Sequence, residues 1–204
     1  MTIDGIAYGL AAQGVLLAAL ASVALAARGR RPGLAVRVSL AIAIVVAAMI
    51  PSWPPRDLAE WMRGLWGDPS VVTVLVLLGW LLVPRLVPAR PRGRAALVGL
   101  AALAFLLYLP VFGVPGTAND LYRLGWSSTW MILGVASVGL VAWRRGHGGW
   151  TTILAFALAA WSIGLHESDN LWDSLVDPGL LGFLVVTGAI DRLRASPRPS
   201  PSAA

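Results

Sequence analysis

Between Gly164 and Gly179 the chain holds His166, one of its two histidines, and Glu167, Asp169, Asp173 and Asp177, four of its ten acids. Projected as a helix at about 100° per residue, His166, Asp169, Asp173 and Asp177 fall within roughly an 80° sector. Leu171, Trp172, Leu175 and Val176 take the opposite side. Carboxylates at i, i+4 and i+8, with a histidine three residues before the first, are a donor set for a divalent metal or a cationic solute. The same residues could serve as an acid–base centre. His166 would be the base, and Asp169 or Asp173 would orient it or hold the metal. Glu167 and Asp177, with the distant cations Arg63 and Arg123, are candidate contacts for a substrate or partner. Like charges one turn apart repel, so the stripe needs either water or a counter-charge. In the plainer reading it is a solvated face, with Asp177 capping a helix that starts at Pro178.

Other chemistries are excluded by residue type. The chain has no cysteine, which removes disulfides and thiolate sites. All sixteen of its basic residues are arginine, so no lysine can form a Schiff base. His147 and His166 are separated by a whole apolar run and cannot ligate one haem. No phosphate loop, paired zinc-site histidines or nucleophile motif is present. The net charge of +6 does not form a basic stripe on one face, so nucleic acid is not an expected partner. No cofactor is called for, a divalent metal at the acid stripe excepted.

The elements that must position these residues are apolar. Hydrophobic residues make up 57% of the 204 and charged residues 13%, with mean hydropathy +0.74, about half the charge of a soluble domain. This predicts an all-α, polytopic membrane protein. Seven spans can be read, at 6–27, 34–50, 71–87, 95–113, 127–143, 150–165 and 178–190. Residues 1–194 then form a single transmembrane domain, and the Pro/Ser-rich 195–204 forms a disordered cytoplasmic tail. Thirteen arginines lie in alternate connections and the tail, against Arg56, Arg63 and Arg123 on the other side. Nine of the ten acids share the arginine-poor side. By the positive-inside rule the N-terminus lies outside and the C-terminus in the cytoplasm, in an inner membrane of bacterial type. The first run, preceded by an acid and no basic residue, reads as a permanent span.

The acid-rich stretch is therefore the last outer connection. The first outer connection carries Leu58, Trp61, Met62, Leu65 and Trp66 at the spacing of one helix face, with Asp57, Glu60 and Arg63 opposite. It reads as a short amphipathic helix in the outer interface. Inside the spans, Gln13 is the costliest residue to bury and a candidate for a helix contact or a pore lining. Tyr8 and Gln13 share no spacing with the acid stripe, and Thr73 is one of several scattered hydroxyls.

Three functions fit. The foremost is an accessory or interaction subunit, docking another membrane protein or a second copy through its outer face. Scarce charge within the spans favours it over a transporter. The second is a small transporter or channel for a cationic or metal solute, with the acid stripe as its mouth. The third is an outer-leaflet enzyme using His166 and its neighbouring aspartates; the balance is against an enzyme.

Overall fold

The computed structural model describes residues 3–27, 33–48, 58–82, 98–99, 102–103, 105–107, 109, 122–126, 129–166, 168–183 and 185–186. Among these the chain is helical and forms no strand, as the composition requires; Trp126 and Asn170 make one isolated bridge. The helices are α1 (Ile3–Ala27), α2 (Leu34–Ala48), α3 (Leu58–Trp66), α4 (Val71–Leu82), α5 (Thr129–Arg144), α6 (Gly148–Ser162) and α7 (Leu171–Leu175). A 3₁₀ turn spans Tyr122–Gly125, and residues 178–183 are helical again.

Helix boundaries follow local chemistry. Ser70 caps α4, its Oγ accepting from Thr73 N–H at 3.1 Å. Helix α3 ends at Gly67, whose φ of 79° suits glycine and whose N–H returns to Arg63 O at 2.9 Å. Helix α6 ends in paired bonds from Gly164 N–H to Trp161 O and from Leu165 N–H to Ala160 O, with Gly164 at φ 66°. That left-handed glycine stops α6 before the acid-rich stretch begins.

Helix α4 is the central element. Val71, Val72 and Val76 join one core cluster with Leu154, Ala157, Leu171, Leu175 and Leu180. Leu77 and Leu81 face a second cluster that contains Leu16, Ala18, Ala19, Met62 and Phe183. Helix α1 packs against α2, α3 and α4, and α6 packs against α4, α5 and α7. The outer sides are apolar too. Leu34, Val36, Ile42 and Val46 of α2 are exposed, as are Trp130, Leu133, Val138, Val141 and Trp143 of α5.

Among the described residues, Ala7–Leu25 within α1 is long and apolar enough to cross a membrane. Leu34–Ala47, Val71–Leu82 and Thr129–Arg144 are apolar but shorter. Most of the expected fourth span, the end of the seventh and the tail 195–204 lie outside the described residues.

One expectation is corrected. The acid-rich stretch is not a continuous helix: residues 163–166 and 168–170 are non-helical, and only Leu171–Leu175 forms a turn and a half. Ser168 and Asn170 bind nearby backbone N–H groups, which offers this segment an alternative to helix. The predicted single face of His166, Asp169, Asp173 and Asp177 therefore does not form; Leu171, Leu175 and Val176 are buried.

Candidate functional site

The polar residues gather at one end of the bundle, where the N-terminal part of α1, the α3–α4 connection, the 3₁₀ turn and residues 163–177 meet. Asp177, only 4% exposed, ties residues 163–177 to the α3–α4 connection and to the helix that follows Pro178. Its Oδ2 accepts from Ser70 N–H at 2.8 Å and from the Thr73 hydroxyl; its Oδ1 accepts from Leu180 N–H at 3.0 Å. The Ser70 hydroxyl donates in turn to Thr73 Oγ1 at 3.0 Å. One carboxylate thus meets the N-termini of α4 and of the helix that follows it, where unpaired N–H groups favour negative charge. Asp177 is the expected cap for Pro178, and it caps α4 as well.

The α3–α4 connection is held from the other side by α1. Tyr8 donates to Pro69 O at 2.8 Å and Gln13 Nε2 to Gly67 O at 2.7 Å. Gln13 is fully buried, and its place is a contact to the connection. Arg63 grips Asp68 with two bonds, Nε to Oδ1 at 2.5 Å and a terminal nitrogen to Oδ2 at 3.0 Å. Their side chains are 12% and 2% exposed. The pair lies over Gly9, where a Cβ would meet Arg63 Nε at 2.6 Å. Arg63, a candidate substrate or partner contact by sequence, is thus bound to Asp68.

Asp173 belongs to a separate group. It accepts from Ser168 Oγ at 2.6 Å and from Tyr122 OH at 3.0 and 3.1 Å. Asn170 caps α7 through Trp172 N–H and donates to Tyr122 O at 3.1 Å, which fixes the 3₁₀ turn beside the segment. Burial, then the charge of Asp173, raises the Tyr122 hydroxyl well above the ordinary tyrosine range.

His166 is buried, its ring tilted against Tyr8 with centroids 5.7 Å apart. Its Nδ1 accepts from Ser168 N–H at 3.1 Å. Ser168, His166 and Asp173 are the residue types of a nucleophilic triad, but their wiring differs from one. The Ser168 hydroxyl donates to Asp173, and only its backbone reaches His166. With Nδ1 occupied as an acceptor, the ring proton stands on Nε2, so His166 offers a donor and no free lone pair for a base.

Two of the remaining candidates are exposed. The Asp169 side chain is exposed, and its backbone carbonyl accepts from Trp161 Nε1 at 2.8 Å. Arg123 is exposed on the 3₁₀ turn. Glu167, Asp57 and the Glu60 side chain lie outside the described residues. Among the described residues no three histidine, aspartate or glutamate side chains group as metal ligands.

Sequence reasoning missed Asp68, Tyr8, Ser70, Thr73, Tyr122 and Asn170. Two local signals were present: Ser70 three residues before Thr73 at the head of an apolar run, and Asn170 just ahead of "LWDSL". No family model, curated protein or solved structure matches this chain.

Proposed function

We propose that this chain is a multi-pass inner-membrane subunit of bacterial type that docks another protein through its outer, polar end. One observation carries the reading. At that end Asp68, Asp173 and Asp177 turn inward onto partners within the chain, while Trp61, Leu65, Leu124, Trp126 and Ile163 turn outward. Leu65 and Ile163 are 75% and 76% exposed. Exposed tryptophans beside Arg123 match the aromatic and arginine enrichment of protein interfaces. The exposed apolar sides of α2 and α5 support immersion in lipid, because soluble monomers rarely expose contiguous apolar patches beyond a few hundred Å².

A cation path or an outer-leaflet active site draws less support, because Asp169, Asp173 and Asp177 diverge. The test is site-specific photo-cross-linking in cells, with the reactive residue at Trp126 and, as a lipid-facing control, at Val138. The reading predicts one discrete protein adduct from Trp126 and lipid adducts from Val138. Lipid adducts alone from both positions would contradict it.

A further inference from the structure

His166 Nε2 is a buried polar atom with no hydrogen-bond partner among the described residues. His166 is 7% exposed, and its ring sits where α1 and the 163–177 segment meet. Its other nitrogen accepts the Ser168 N–H at 3.1 Å, and an accepting ring nitrogen carries no proton. The ring proton is therefore on Nε2, which makes this atom a buried donor with no acceptor among the described residues. Ser174 Oγ, in the same segment, is likewise buried without a partner.

We propose that His166 Nε2–H is a binding group for an uncharged oxygen acceptor, supplied either by a water molecule or by the ester carbonyl of a lipid. The chemistry of the surroundings selects that class. A metal ion needs a lone pair on Nε2, which would move the proton to Nδ1 and set it against the Ser168 N–H donor. An anion buried beside a neutral imidazole would need a charged partner, and Arg63 at this end is bound to Asp68. A neutral oxygen completes the donor without adding charge. This site stands independently of the docking reading, since it lies inside the polar end rather than on its surface.

The chain has two histidines, and the His147 side chain is exposed on the α5–α6 turn. A His147→Gln variant labelled with ring-¹⁵N histidine therefore gives one imidazole signal in lipid nanodiscs. Should that variant fold poorly, the wild-type chain gives the same signal beside that of His147. The expected result is a directly bonded proton on Nε2, none on Nδ1, and a cross-peak from the Nε2 proton. A cross-peak to water names water as the occupant, and one to lipid glycerol protons names the ester. A proton on Nδ1 would overturn the proposal. So would an Nε2 resonance displaced by one equivalent of zinc, or an Nε2 proton with neither cross-peak.

Discussion

Asp177 satisfies three donors with two oxygens, and each donor is itself buried. Removing the carboxylate leaves Ser70 N–H, the Thr73 hydroxyl and Leu180 N–H without their acceptor, at about 1–3 kcal/mol for each stranded group. Asp177→Ala is expected to lose about 3–5 kcal/mol of stability, allowing for partial relaxation. Asp177→Asn, which keeps one carbonyl oxygen, should lose less. Thermal unfolding in detergent checks the order, and an Asp177→Ala protein as stable as wild type would refute it. Tyr122 gives a second residue-scale prediction. Burial and Asp173 hold its hydroxyl protonated in the folded state above the value of the unfolded chain. The unfolded chain therefore releases its proton first. This contribution is intact below pH about 10 and is lost as pH climbs beyond it. Tyr122→Phe should flatten that alkaline fall in melting temperature while leaving the neutral-pH slope alone.

Helix-scale packing rests on close approach. A Cβ at Gly14 would meet Val45 Cα at 2.8 Å, a backbone atom that cannot swing aside. Gly14→Ala should push α1 from α2 and cost about 1–3 kcal/mol, read as a lower melting temperature. Gly134→Ala, with nothing near its added methyl, should not. The helices themselves were largely legible. The spacing of Leu58, Trp61, Met62 and Leu65 predicted α3, and the apolar runs predicted α1, α2, α4, α5 and α6 near their observed places. The acid-rich segment was not legible as drawn, because periodicity cannot see Gly164 ending a helix or Asn170 starting another. The polar end was less legible still. Its contacts join Tyr8 to Pro69, Gln13 to Gly67 and Ser70 to Asp177 across 61, 54 and 107 residues. No local spacing encodes such pairs.

At the scale of the whole molecule, polar side chains converge at one end while apolar side chains cover the flanks of α2 and α5. That division is what a bundle needs when its sides meet lipid, because backbone that leaves a helix must be satisfied by protein. Gly67 and Pro69 receive that service from Gln13 and Tyr8 within the first half of α1. In the proposed orientation this polar end faces outward across a membrane and the α5–α6 turn faces the cytoplasm. A chain without cysteine allows a direct test. Asp169→Cys and His147→Cys, both at exposed positions, are each expressed in bacterial cells and treated with a membrane-impermeant maleimide. Asp169→Cys is expected to label in intact cells and His147→Cys only after the membrane is opened. Equal labelling of the two, or labelling of His147→Cys alone in intact cells, would contradict it.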